Sequence, residues 1–149
     1  MSAESVESDL ENLDIKYYDF KQFEVLETIG VGTFATVHKA KLIDSGLDTE
    51  YIALKLTLLI IQPIQIKLQM KMGIDDQIIQ VYGLSKTQVA KFDSKLSYVL
   101  VLEFADSGTL RHYLQENQNL SWFDKLHLAQ QLAEAIMHMH SAGVIHRDL

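Results

Sequence analysis

The stretch Gly30-Val31-Gly32-Thr33-Phe34-Ala35-Thr36-Val37-His38-Lys39-Ala40-Lys41 decides how the N-terminal half of the chain is read. Upstream of it, Phe20, Phe23, Val25, Leu26 and Ile29 are residue types that favour strands. After the two glycines, Phe34, Thr36 and His38 alternate with Ala35, Val37 and Lys39, which is the period of a second strand. The stretch is therefore strand–turn–strand. A dinucleotide-binding fingerprint has to open a helix, so that reading is disfavoured. Two explanations of the glycines stay open. One is a hairpin turn rich in small residues. The other is a loop whose backbone N–H groups can approach phosphate oxygens because no Cβ stands in the way.

Working outward, Asp44-Ser45-Gly46 marks a turn. Tyr51 to Ile61 reads as a third strand, so continuously apolar that both faces should be buried. Pro63 suits the first turn of a helix; Ile64, Ile66, Leu68, Met70 and Met72 alternate as a strand would, but Leu, Met, Gln and Lys favour a helix stopping at Gly73, which is the reading taken. Asp75 and Asp76 read as turn residues. Ile78, Ile79, Val81 and Tyr82 suggest a fourth strand ending at Gly83, with Ser85 to Ser94 as the connection to a fifth, Leu96 to Phe104.

Beyond Gly108 the period changes. Thr109 can cap a short helix through Glu116. Ser121 and Asp124 form an acidic variant of the capping box. Trp122, Leu126, Ala129, Ala133, Ile136 and His140 then recur at helical spacing, and Gly143 fits the stop. The expectation is an α+β fold: a five-stranded antiparallel sheet with one inserted helix, then further helices.

Composition narrows the functional classes. The 149 residues carry a net charge of -7, which argues against nucleic acid or an anionic membrane as partner. There is no cysteine, hence no disulfide framework or thiolate metal site. The longest apolar run, Leu56 to Ile61 interrupted by Thr57, is far short of the roughly 20 residues of a membrane span. Residues 1–16 read as a flexible acidic tail, with Glu4, Glu7, Asp9, Glu11 and Asp14 and no arginine. There is no signal-peptide pattern, and a cytoplasmic location is expected.

Four motifs stand in order along the chain. Gly30-x-Gly32-x-x-Ala35-x-Val37 comes first. Lys55 follows in Ala53-Leu54-Lys55, 25 residues after Gly30 and inside an apolar strand. A lysine there needs a compensating partner or a route to solvent. Leu102-Glu103-Phe104-Ala105-Asp106-Ser107-Gly108-Thr109 is the third, and by itself reads equally well as a strand end and a turn. His146-Arg147-Asp148-Leu149 is the fourth. His138 and His140 do not share a helix face, so no metal site is read from them.

Taken together, these motifs resemble the protein kinase superfamily over residues 20–149, and look most similar to tyrosine-kinase-like Ser/Thr kinases. The resemblance implies an N-terminal lobe over 17–104, with the hinge and the first helices of the C-terminal lobe over 105–149. It implies ATP and Mg2+ as cofactors and a protein substrate bearing a Ser/Thr or Tyr hydroxyl. ATP would be bound by Gly30, Val31, Gly32, Thr33, Phe34, Ala35, Val37, Ala53 and Lys55, and by backbone groups of Glu103 and Ala105. Val37 would lie on the adenine, Lys55 on the phosphates, Leu102 beside the inner pocket and Thr109 near the ribose. Asp148 would be the catalytic base, with His146 and Arg147 structural.

Two departures accompany the resemblance. The third loop glycine is Ala35. No glutamate lies between Glu50 and Glu103 to pair with Lys55, and Gln65 stands near the corresponding position. The metal-binding Asn would fall five residues beyond Asp148, after Leu149, so the 149-residue chain alone is expected to lack metal ligands and activity. Its helix over Trp122–His140 would then expose an apolar face and favour self-association. An enzyme and a noncatalytic, pseudokinase-like nucleotide- or protein-binding module are both compatible with these residues.

Overall fold

In the structure, a computed structural model, residues 15–33, 35–43, 50–57, 77–88 and 96–146 are described. The elements among them are β1 (Tyr17–Asp19), β2 (Phe23–Val31), β3 (Ala35–Leu42), β4 (Ile52–Thr57), β5 (Val81–Gln88), β6 (Leu96–Glu103), α1 (Leu110–Glu116) and α2 (Trp122–Ser141). A 3-10 turn, Phe20–Gln22, joins β1 to β2. The helix expected over Ile64–Met72, Gln65 within it, the turn at Asp44–Gly46, the acidic tail through Asp14, Phe34 and Asp148 lie outside the described residues.

The strands form one sheet in the order β1-β5-β6-β4-β3-β2. Its centre is β4 between β3 and β6, antiparallel to both. Side chains alternate across a strand, so a strand covered on both faces must be apolar at successive positions. Ile52, Ala53 and Leu54 meet this demand, with exposures of 1%, 6% and 0%. Ile52 and Leu54 join Val99, Val101, Ala40, Tyr18 and Phe23 on one face. Ala53 joins Leu84, Leu100, Leu102 and Ile15 on the other. Full burial of a side chain such as Leu54 contributes about 2 kcal/mol.

Five antiparallel strands were expected, and the structure has them plus one more. β1 adds a sixth strand, parallel to β5, pairing Tyr17 with Leu84 and Asp19 with Lys86. The sequence pattern from Tyr17 onward suggests one strand, but Asp19 interrupts it. Its side chain accepts from Lys21 N at 3.0 Å, while Gln22 Oε1 accepts from Asp19 N at 3.0 Å. These bonds close the 3-10 turn that sends the chain from one sheet edge to the other. The turn also stacks aromatics: Phe23 lies 5.7 Å from Tyr18 and 6.0 Å from Phe20 between ring centroids.

The fourth strand also differs from expectation. It starts at Val81 rather than Ile78, and it passes through Gly83 to Gln88. Gly83 is not a stop. Leu84 N donates to Lys16 O at 2.9 Å. A Cβ at Gly83 would overlap that carbonyl oxygen and stand 2.7 Å from Cε2 of Tyr18. The glycine is there because another backbone comes close. A bulge between Val81 and Gly83 accompanies it.

The helical signals hold as read. Thr109 Oγ1 accepts from His112 N at 3.2 Å to cap α1. Ser121 and Asp124 complete the reciprocal box, each side chain accepting from the other's backbone N–H at 3.1 Å. Gly143, at φ +76°, follows the Ala142 cap and ends α2. The face of α2 named from its period is exposed for the most part: Trp122 stands 80% open, Leu126, Ala129, Ala133 and His140 are exposed, and Ile136 is half-buried. A tie from α2 to the segment before β5 runs through Glu134, whose carboxylate accepts from Gln77 Nε2 at 2.7 Å and Gln130 Nε2 at 2.9 Å. Among the described residues, no helix is long and apolar enough to cross a membrane.

Two outcomes follow from this packing. Gly83→Ala should lose about 2 kcal/mol of stability in a denaturant melt, whereas Gly30→Ala, whose Cβ would meet Val37 at an ordinary 3.8 Å, should change stability little. The 149-residue chain by itself should sediment as associated species, and Trp122→Glu combined with Leu126→Lys should shift it toward monomer.

Candidate nucleotide groove

Register places the sequence-predicted residues on one face of the sheet. Val37 pairs with Lys55, and Lys55 with Leu100. Ala53 pairs with Lys39 and with Leu102. Because side chains alternate, Val37, Ala53 and Lys55 share the face of Leu84, Leu100 and Leu102. Lys55 is half-buried there, between Val37 and Leu100. Among the described residues it has no carboxylate partner.

The glycine hairpin lies at one end of this face. Gly30 pairs with Val37 and Val31 with Thr36, with a bulge between Thr28 and Gly30. The turn closes through Gly32 N donating to Ala35 O at 2.8 Å. Neither Gly30 nor Gly32 has a positive φ. A Cβ at Gly32 would lie 3.5 Å from the Ala35 carbonyl oxygen, an ordinary contact. The fold does not itself demand glycine at these two positions, in contrast with Gly83. Val31, Gly32 and Thr33 are exposed at the tip.

At the other end the sheet passes into the α1 segment. Leu102 is buried and Glu103 is the last ladder residue, paired with Ile52. Glu103 N donates to Gln80 O at 2.9 Å, and its carboxylate accepts from Gln80 N at 3.1 Å. The Glu103 amide is therefore already engaged within the chain. Ala105 is exposed and lies on a groove of about 690 Å³, lined also by Ile29, Lys39, Tyr51, Phe104, Gly108 and Thr109. Gly108, at φ +71°, turns the chain from Asp106-Ser107 into α1.

A cluster that the motifs did not predict borders the groove. Lys39 Nζ sits 4.1 Å from the Tyr51 ring centroid and 4.8 Å from that of Phe104, and the two rings are 6.2 Å apart edge-to-face. Lys41 Nζ lies 5.2 Å from the Tyr51 ring and 3.5 Å from Glu50 Oε1. The Tyr51 hydroxyl, hydrogen-bonded to Glu50, holds that carboxyl below the usual range, with Lys41 and Lys39 adding to the effect. The Glu50 carboxylate raises the Tyr51 phenol in turn. Period two from Val37 puts Lys39 on this face, which is the signal that could have found it.

Comparisons with known proteins identify the family. Residues 23–149 match the family model described as protein tyrosine and serine/threonine kinase. The chain belongs to that family. It is 28% identical over 138 residues to the serine/threonine-protein kinase PLK4 of Danio rerio, covering 87% of this chain and 14% of the relative. It is 27% identical to the NUAK family SNF1-like kinase 1 of Homo sapiens, covering 86% and 19%. With the calcium/calmodulin-dependent protein kinase type II of Schizosaccharomyces pombe it shares 29%, covering 89% and 26%. The chain thus spans between about a seventh and a quarter of the length of these relatives.

Glu50 gives the cluster a pH signature. Its carboxyl ionises more readily in the folded chain, so its contribution is present above the ordinary value of 4.5 and is lost as pH falls through the lowered one. The difference in melting temperature between the unsubstituted chain and Glu50→Gln should be small at pH 7 and should vanish in acid. A difference that grew in acid would contradict the assignment.

Proposed function

We propose that this chain forms the nucleotide-binding part of a protein kinase that transfers the terminal phosphoryl group of ATP to a Ser or Thr hydroxyl of a protein. One observation carries the reading. A half-buried cation, Lys55, shares a face with the small apolar residues Val37 and Ala53, and that face runs from a glycine hairpin to the open groove at Ala105. The residues present suit ATP: apolar surface for a base, a cation for phosphates, and two glycines that the fold does not require.

In this reading Val37 and Ala53 flank the adenine, while the Glu103 carbonyl and the Ala105 amide meet its polar edge. Gly30, Gly32 and their neighbours Val31, Thr33, Phe34 and Ala35 cover the phosphates, and Lys55 holds them by charge. Bound ATP supplies the phosphoryl group. Asp148 accepts the proton of the attacking hydroxyl. Mg2+ belongs with ATP in this chemistry; among the described residues no group of three potential ligands converges.

A second reading, a noncatalytic binding module, rests on a specific feature. The sequence has no glutamate between Glu50 and Glu103, and a glutamine such as Gln65 in that role would accept a hydrogen bond from Lys55 without neutralising it. Calorimetric titration separates binding from chemistry. ATP should bind the unsubstituted chain, and Lys55→Met should weaken ATP by about 10-fold while leaving adenosine unchanged. No binding to either chain would overturn the nucleotide reading. Transfer of labelled phosphate to a protein acceptor by the longest product of the gene, abolished by Asp148→Asn, would support the enzyme. Binding without transfer would support the module.

A further inference from the structure

The backbone ladder between β4 and β6 ends at the Ile52–Glu103 pair. One step beyond it, Tyr51 precedes β4 and Phe104 follows β6, and their rings meet edge-to-face at 6.2 Å. Phe104 leads directly into Ala105, which lines the groove. From there the chain turns through Asp106, Ser107 and Gly108 toward α1. Lys39 comes from a third element, β3, where it pairs with Ala53. Its ammonium is within 5 Å of both ring centroids, a range in which the ring quadrupoles attract a cation. The Lys39 stem is half-buried, so the position is constrained by packing as well as by charge.

We propose that Lys39 is a positioning residue for the nucleotide groove: its ammonium, seated on the Tyr51 and Phe104 rings, holds the Phe104–Ala105 segment at the point where the sheet's own hydrogen bonds stop. The inference rests on the nucleotide reading above and deepens it. The clamp acts on the base end of the groove, because Phe104 is bonded to Ala105. The phosphates belong to the other end, beside the glycine hairpin and Lys55. A preformed backbone edge at Ala105 removes an ordering cost that binding would otherwise carry. Lys39→Met keeps the apolar stem and removes the cation. Lys39→Arg keeps the cation and its affinity for ring faces.

The test compares adenosine with ATP. Lys39→Met should weaken both by a similar factor, about 5-fold, and Lys39→Arg should restore most of the loss. Phe104→Leu, which leaves every charge in place, should reproduce the Lys39→Met defect. Without ligand, amide hydrogen exchange at Ala105–Ser107 should quicken in Lys39→Met and slow again in Lys39→Arg. A loss confined to ATP would mean that Lys39 touches phosphate, and would overturn the inference. Unchanged affinity and exchange in all three variants would overturn it alone, leaving the nucleotide reading intact. Failure of the unsubstituted chain to bind adenosine would remove both.

Discussion

Burial of β4 on both faces is the constraint on which the rest depends. Where a central strand is covered on both faces, as at residues 52–54, each residue along it must be apolar or have a way to satisfy its charge. Ile52, Ala53 and Leu54 solve this by composition. Lys55 does not, and the sheet accommodates it by placing it toward the partly open face. The same alternation that sends Ile52 and Leu54 into one core sends Ala53 and Lys55 to the other side. A strand slipped by one residue would bury the ammonium in the Tyr18–Phe23 core and expose leucine instead. Register, core and candidate site are therefore set together.

Glycine serves three separate purposes along this chain, and only the surroundings tell them apart. At Gly83 the neighbour is the chain's own backbone, and no side chain would fit. At Gly108 and Gly143 the left-handed conformation is what matters. At Gly30 and Gly32 neither condition applies: a Cβ would meet only ordinary contacts, and φ is not positive. This distinction supports a ligand at the hairpin more than a sequence pattern can.

Much of this was legible in the sequence because local chemistry and tertiary structure agreed. Thr109 and Ser121 cap helices through bonds to residues three positions on, so short-range pattern was enough. Val37, Ala53 and Lys55 share a face because period two is also local. Contacts between distant segments were harder to read. Gly83 reads as a strand end, since nothing near it in sequence reveals the Lys16 carbonyl that passes over it. The division between β1 and β2 is hidden because Phe20 and Phe23 both look like strand residues, while the Asp19 cap that separates the strands is a single side chain. The Lys39 cluster draws on three elements whose meeting is a property of the sheet order, not of any motif.

The sheet's two edges are treated differently. β1 lies along β5 only at Leu84, Ser85 and Lys86, so that edge ends in a three-residue strand. At the opposite edge β2 carries exposed Val25, Leu26 and Ile29, which would suit recruitment of another strand. Its pairing with β3 is interrupted twice, between Val25 and Glu27 and between Thr28 and Gly30. Such interruptions bend and twist an edge out of the flat form a foreign strand needs. The bulge beside the glycine hairpin therefore works against templated growth of the sheet into fibrils at this edge.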